Sequence, residues 1–165
     1  MNPDLDHVGR ILEQWAAERP ELDVSPIGII GRLHRLSATL YAELDTVYSA
    51  HGVGDGEFDV LATLRRNGKP YALTPGELAD QTMVTSGAVT KRVDRLIAAG
   101  LVTREVSSGD GRSRVIALSR KGLQHIDRAF AAHVANERRL VDHLTEREQR
   151  QLGTLLEKWG RALGA

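Results

Sequence analysis

The chain has 165 residues, of which 41% are hydrophobic and 27% charged, with no cysteine and a net charge of zero. This size fits one domain, with or without a dimerisation arm, and the missing thiols exclude disulfides, thiolate zinc sites, iron–sulfur clusters and cysteine-based redox sensing. No apolar run approaches the roughly 20 residues of a membrane helix, and the N-terminus lacks the basic residues of a signal peptide. We therefore expect a soluble, cytoplasmic protein.

The charges are unevenly distributed along the chain. Residues 85–121 contain 8 basic and 3 acidic residues, whereas residues 1–84 contain 7 basic and 13 acidic residues. This segregation favours a polyanion-binding surface in the basic segment. A basic run is also compatible with an ordinary solvated face, so the motifs within the segment have to decide between the two.

The first part of the chain predicts three helices. Apolar residues recur at helical spacing over residues 4–18, which indicates an amphipathic helix. Ser25 followed by Pro26 is typical of an N-cap and first turn, and helical spacing then continues to about Ala50. A shorter helix follows and ends before Gly68.

The central segment predicts two helices joined by a tight turn. Thr74 and Glu77 have the spacing of a capping box, which opens a helix of about two turns. Thr85 is placed to cap a second helix over residues 86–99, and Gly100 is placed to end it. This arrangement is a helix-turn-helix.

The segment after Gly100 predicts a β-hairpin followed by more helices. Residues 101–106 and 114–118 are rich in β-forming side chains and flank a polar, glycine-containing tip. Helical spacing returns over residues 120–144 and 146–163. The predicted fold is thus mainly α with a small β-wing, a winged helix-turn-helix domain with N- and C-terminal dimerisation helices.

Three regions follow from this order of elements: N-terminal helices at residues 1–50, a DNA-binding lobe at 51–119 and C-terminal dimerisation helices at 120–165. The outer helices carry more apolar surface than a small winged helix can cover, which predicts a homodimer. The largest of these apolar side chains are Trp15, Phe130 and Trp159.

The second helix of the pair has the face expected of a recognition helix. At about 100° per residue, Val89 and Val93 point to one side, while Lys91 and Arg95 point to the other. Arg112 is placed at the tip of the wing, where it could enter a neighbouring minor groove. The predicted DNA contacts are Thr85, Ser86, Gly87, Thr90, Lys91, Arg95 and Arg112.

This order of helices, together with the wing-to-helix stretch from Asp110 to Gly122, resembles the MarR family of bacterial transcription regulators over nearly the whole chain. The resemblance implies a homodimer with interleaved first and last helices. It also implies a repressor of a palindromic operator that releases DNA when a small ligand binds between the dimerisation and DNA-binding lobes, with residues 1–50 on the pocket side.

Four positions are similar to the urate-responsive branch of that family: Trp15, Asp59, Arg92 and Arg104. Urate is a planar monoanion, so an indole face and guanidinium donors suit it, and a nearby carboxylate would be disturbed by a second negative charge. Each residue also has an ordinary explanation: helix packing, a helix-dipole partner, a phosphate contact and a strand-edge charge, respectively. Two arginines would equally suit a phenolic or polycarboxylic acid.

Other chemistry has little support in the sequence. The six histidines include no i, i+4 pair beside a carboxylate, and no phosphate loop or nucleophile elbow is found, so we expect neither metal, cofactor nor catalysis. Two further alternatives stay open: a metabolite-binding dimer without a DNA role, and a DNA-binding scaffold without a ligand.

Overall fold

Within residues 4–83, 86–106 and 114–164, which the computed structural model describes, the chain forms seven helices and three strands. This confirms the predicted fold class, mainly helical with a small β-wing. The helices are α1 (His7–Glu18), α2 (Ser25–Ala50), α3 (Asp55–Arg66), α4 (Pro75–Gln81), α5 (Ser86–Ala98), α6 (Arg120–Val141) and α7 (Glu146–Leu163). The strands are β1 (Ala72–Leu73), β2 (Val102–Val106) and β3 (Arg114–Leu118).

The chain divides into two compact units, one ending at Glu43 and the other beginning at Leu44, so that the division falls within α2. In the first unit, Asp6 caps α1 by accepting a hydrogen bond from the Gly9 amide at 2.7 Å. The same carboxylate forms an ion pair with Arg32 of α2 at 2.9 Å. One acidic side chain therefore both starts α1 and joins it to α2.

The second unit contains the main hydrophobic core, which α3 crosses. Apolar side chains of α3 pack with those of α4, α5, α6 and the sheet, and burial of this apolar surface is the main force that holds the unit together. Its fully buried side chains include Val60, Leu61, Leu64, Leu78, Val93 and Ile126.

The three strands form one antiparallel sheet in the order β1-β3-β2. The hairpin of β2 and β3 is the predicted wing, whereas β1 was missed by the sequence analysis. Ala72 and Leu73 of β1 pair with Ala117 and Ile116 of β3. Two residues are too few to show the alternating pattern of a strand, so this element depends on its pairing partner.

Local signals placed most helix ends correctly. The capping boxes at Thr74 and Thr145 are present. Gly100 follows the end of α5 with a φ of 69°, as expected for a glycine that ends a helix. Ser25, predicted as an N-cap, is instead the first residue of α2. The Asp23 carboxylate lies 3.0 Å from the Ser25 amide and accepts its hydrogen bond, which explains the earlier start.

Gly122, in the first turn of α6, allows that helix to approach the turn between α5 and β2. A Cβ atom at this position would lie 1.9 Å from the carbonyl oxygen of Leu101. Ser119 fixes the same junction, because its hydroxyl accepts from the Gly122 amide and donates to the Gly100 carbonyl. Ser119 thus joins the turn between α5 and β2 to the start of α6.

Candidate nucleic-acid interface

The helix-turn-helix consists of α4 and α5. Thr74 and Glu77 form the capping box of α4, in which the Glu77 carboxylate accepts the Thr74 amide hydrogen bond at 2.8 Å. Leu78 of α4 and Val93 of α5 are fully buried against α3. Their burial fixes the rotation of α5 about its own axis and leaves the opposite side of this helix in solvent.

That opposite side carries the predicted DNA-contacting residues that the structure describes. Thr90, Lys91 and Arg95 are exposed, as is Asp94 between them. Ser86 and Gly87 lie in the first turn of α5, with backbone described but side chains not. Thr85 and the wing residue Arg112 lie outside the described residues, so their predicted roles stay predictions.

Arg95 forms an ion pair with Glu57 of α3. Its Nη1 donates to Glu57 Oε1 at 2.9 Å. The two partners differ sharply in exposure, since the Glu57 side chain is 12% exposed and that of Arg95 is 72% exposed. The Glu57 carboxylate is thus largely covered by the protein, while the Arg95 guanidinium reaches into solvent on the exposed side of α5.

Asp94 is paired with Arg104 of β2, whose Nη2 donates to Asp94 Oδ1 at 2.8 Å. Arg104 also lines a groove of about 270 Å³ beside Thr90 and Arg114. The groove has an apolar floor and two guanidinium groups among its walls. Its other lining residues are Pro75, Ala79, Val89, Val93, Val115 and Ile116.

Arg92 turns away from this groove and packs on α3. Its guanidinium covers Gly56, where a Cβ atom would come within 1.9 Å of Arg92 Nε. Arg92 Nη1 is buried and has no hydrogen-bond partner within the described part of the chain. A buried donor without a partner costs free energy, so donation of a hydrogen bond from this nitrogen to an added ligand would be favourable.

Asp59 lies one turn further along α3 and accepts a hydrogen bond from the Met83 amide at 2.8 Å. Burial raises the pKa of the Asp59 carboxyl above its ordinary value. The Met83 hydrogen bond and the charges of Arg66 and Arg92 lower that pKa, the charge of Asp55 raises it, and the net direction is upward. Asp59 therefore joins α3 to the turn that precedes α5, in the electrostatic range of Arg92.

Of the four predicted ligand residues, Asp59 and Arg92 interact with each other, whereas Arg104 has a different partner. Asp59 and Arg92 interact electrostatically. Arg104 instead pairs with Asp94, which is about 160° from Arg92 around the axis of α5. Trp15 belongs to the first unit, on α1, and is 46% exposed.

Two residues of this surface were missed by the sequence analysis. Glu57 is an acidic residue near a helix start, where helix-dipole stabilisation is a sufficient explanation. Arg114 was assigned only to a strand. No local signal could have found either role, because Glu57 meets Arg95 across 38 positions of sequence and Arg114 reaches the groove through the sheet.

The described residues contain no group of three or more histidine or acidic side chains that could hold a metal ion. None of the described helices is both long and apolar enough to cross a membrane.

A two-helix unit packed on a short antiparallel sheet, with a hairpin after the second helix, defines this protein as a winged helix-turn-helix protein, a class that places the second helix in the DNA major groove. Residues 51–113 match the MarR family profile. The chain is 42% identical over 149 residues to the HTH-type transcriptional regulator PecS of Dickeya dadantii, covering 90% of each chain. The chain belongs to the MarR family of transcription regulators.

Two further similarities agree with this assignment. The HTH-type transcriptional repressor Rv2887 of Mycobacterium tuberculosis is 33% identical over 138 residues, covering 84% of this chain and 96% of the repressor. Sco3205, a MarR family regulator from Streptomyces coelicolor, was solved in complex with DNA and superposes with a TM-score of 0.74 at 25% identity. That match covers 87% of this chain and 91% of Sco3205. The named relatives are thus regulators of transcription.

Proposed function

We propose that this protein is a homodimeric repressor that binds a palindromic operator through α5 and the wing and releases it when a small anion binds. The observation that carries the DNA part is the exposed side of α5, where Thr90, Lys91 and Arg95 project opposite the buried Val93. The similarity to Sco3205, solved with DNA, and to the repressor Rv2887 supports the same assignment.

The C-terminal helices support the homodimer. None of the described residues of α7 is buried, even though this helix carries several leucines. Their exposed fractions lie between 40% and 70% for Leu152, Leu155, Leu156 and Leu163. Phe130 on α6 is 48% exposed. Apolar surface of this extent is stabilised by about 25 cal/mol for each Å² removed from water, and a second copy would cover the same faces by two-fold symmetry.

The ligand part is supported by the partnerless Arg92 Nη1 beside the partly buried Asp59. An anion accepting from Arg92 would also raise the cost of a charged Asp59, which holds the turn before α5 through Met83. Urate is the first anion to test, with Trp15 and Arg104 as further contacts, because of the four-residue resemblance to the urate-responsive branch. A phenolic or polycarboxylic acid is the alternative ligand.

The DNA part is tested by selecting duplexes from a randomised library with the wild-type protein and measuring affinity at several salt concentrations. The selected sequence should contain an inverted repeat with half-sites about one helical turn apart. Affinity should fall steeply with salt because bound lysines and arginines displace counterions, and Lys91→Ala should reduce the logarithmic salt slope by about one. Arg112→Ala should weaken binding by about 1–3 kcal/mol if the wing enters the minor groove.

A flat salt response or the absence of a selected sequence would contradict the operator model and favour a metabolite-binding dimer. Adding urate to the preformed complex tests the switch, since a ligand that weakens DNA binding typically does so by about 5–150-fold. Arg92→Ala and Trp15→Phe should reduce the response. If urate neither releases DNA nor raises the melting temperature while another anion does both, the ligand identity is wrong and the switch stands.

The homodimer is tested by sedimentation of the full chain and of a chain lacking residues 146–165. The full chain should sediment as a dimer, and the shortened chain should be insoluble or unfolded because it lacks the apolar face of α7 that the proposed dimer buries. A stable, DNA-binding monomer from the shortened chain would contradict the homodimer.

A further inference from the structure

Two arginines of α5 contact the first turn of α3, where two glycines provide space for Arg92 and for Glu57, the ion-pair partner of Arg95. Arg92 covers Gly56, as described above. Gly54, two residues before Gly56, is the N-cap of α3. A Cβ atom at Gly54 would lie 2.7 Å from Glu57 Oε2, so this glycine makes room for the Glu57 carboxylate. Arg92 and Arg95 are three residues apart and share one flank of α5, which brings both to the same turn of α3.

The ion pair of Arg95 leaves most of its guanidinium available. A guanidinium has five N–H donors, and the bond to Glu57 uses one nitrogen, Nη1, at 2.9 Å. The Arg95 side chain remains 72% exposed. Glu57 therefore holds one nitrogen of the Arg95 guanidinium, and the other N–H donors face solvent on the side of α5 that carries Thr90 and Lys91.

Glu57 is suited to hold that nitrogen in a fixed position. Its side chain is only 12% exposed and is anchored to α3, so it cannot follow Arg95 into solvent. An ion pair between two exposed side chains contributes little, because both side chains lose conformational freedom when they pair, but here the covered Glu57 side chain has little freedom left to lose. Arg95 is thus kept beside Glu57 even before DNA is present.

We propose that Glu57 is a positioning residue for DNA recognition: its largely covered side chain orients the Arg95 guanidinium so that the free donors are presented as a fixed fork to a base edge. The inference rests on the proposed function, in which Arg95 faces the operator. It adds a residue outside the helix-turn-helix to the determinants of sequence selectivity, through an ion pair that joins α3 to α5.

The proposed role of Glu57 implies different effects on operator DNA and on unrelated DNA. An oriented guanidinium suits the bidentate contact that distinguishes a guanine from other bases. A carboxylate in the same place lowers the positive potential that attracts phosphates of any sequence. Glu57 should therefore strengthen binding to the operator and leave binding to unrelated DNA unchanged or weaker.

The experiment measures the affinity of the full-length protein for two duplexes: one selected by the wild type from a randomised library, and a scrambled duplex of the same composition. Glu57→Gln keeps the size of the side chain and removes its charge. It should reduce the affinity ratio between the two duplexes about tenfold, a typical share of one guanidinium–base contact. Affinity for the scrambled duplex should stay the same or rise. Asp80→Asn, which removes a negative charge from exposed α4, should leave the ratio unchanged.

A second pair of variants separates positioning from general stability. In an Arg95→Ala background, Glu57→Gln should cause no further loss of the ratio, because its effect passes through Arg95. Gly54→Ala keeps the charge of Glu57 but crowds its carboxylate, and it should lower the ratio in the same direction. Thermal unfolding of each variant identifies any loss of the folded state.

Several outcomes would overturn the proposal. If Glu57→Gln changes the affinity for both duplexes equally, Glu57 has only a general electrostatic or folding role. The same conclusion follows if Glu57→Gln still lowers the affinity ratio in the Arg95→Ala background. A wild type without any selectivity would instead remove the proposed function, and the positioning role with it. A selective wild type whose ratio falls with Arg95→Ala but not with Glu57→Gln would leave the DNA-binding function intact and show that Arg95 needs no orientation by Glu57.

Discussion

The guanidinium of Arg92 occupies the space that a side chain at Gly56 would need, with only 1.9 Å between Arg92 Nε and the position of a Cβ atom. This close approach couples a glycine of α3 to an arginine of α5. The Arg92 side chain is flexible, so a larger residue at Gly56 would displace it without unfolding the protein. Gly56 therefore offers a way to move Arg92 while keeping its charge.

We expect Gly56→Ala to reduce ligand-induced DNA release as strongly as Arg92→Ala does. The added methyl group displaces the guanidinium from α3, and a helical alanine offsets part of the packing cost because it is favoured over glycine by up to about 1 kcal/mol. Titration of the anion into the protein–DNA complex measures the response. Gly76→Ala, which adds a methyl group to open space on α4, is the control and should respond like the wild type. An unchanged response in Gly56→Ala would separate the position of Arg92 from the switch.

The raised pKa of Asp59 predicts how its contribution to stability changes with pH. Because burial raises the folded-state pKa above the unfolded value, the folded protein holds this proton more tightly. The contribution of Asp59 to the free energy of unfolding is thus full below the unfolded pKa, near 3.8, and is lost as the pH rises through the folded pKa.

Asp59→Asn should remove this loss while keeping an oxygen acceptor for the Met83 amide. Relative to wild type, the variant should gain stability as pH rises from about 4 to 7, since it carries no charge to desolvate. Urea unfolding at several pH values measures the difference in free energy of unfolding between Asp59→Asn and wild type. The contributions of the other titrating groups, which both proteins share, cancel in this difference. Asp59→Ala is the comparison and should be less stable than Asp59→Asn by about 1 kcal/mol, because the Met83 amide loses its partner. A stability difference that does not vary with pH would contradict the raised pKa.

Arg104 should affect DNA binding even without ligand, because it neutralises Asp94 on the exposed side of α5. In Arg104→Ala, the unpaired Asp94 carboxylate would repel the DNA phosphates, so affinity should fall several-fold, more at low salt than at high salt. Fluorescence anisotropy with the selected duplex measures this. Asp94→Asn added to Arg104→Ala should restore part of the affinity. A double variant as weak as Arg104→Ala would show that Arg104 contacts DNA directly.

Gly122→Ala should destabilise the fold by about 1–3 kcal/mol, because the new methyl group meets a backbone oxygen and not a movable side chain. The clash with the Leu101 carbonyl forces α6 away from the turn to which Ser119 joins it. Chemical unfolding gives the difference directly, and Gly76→Ala serves again as the control with open space. Wild-type stability of Gly122→Ala would mean that this junction adjusts freely.

Local sequence signals predicted the helices and the buried side of α5 well. The capping boxes at Thr74 and Thr145 and the stop at Gly100 depend on residues within one turn of each other, so a short window of sequence contains the whole signal. The same applies to Val89 and Val93, whose spacing alone separates the core side of α5 from its exposed side. The start of α2 differs from the prediction by one residue, and the carboxylate of Asp23 accepts from the amide of Ser25 at the first position of the helix.

By itself, the sequence determined which helices form and which side of α5 faces solvent, because helix periodicity and capping are properties of neighbouring residues. The tertiary structure alone decided which charges meet. Strand β1 exists only through its pairing with β3, Glu57 reaches Arg95 only because α3 and α5 pack together, and Arg104 pairs with Asp94 on the flank of α5 opposite Arg92. These contacts join residues far apart in the chain, and their free energy depends on burial and distance in the folded state, which no local pattern encodes.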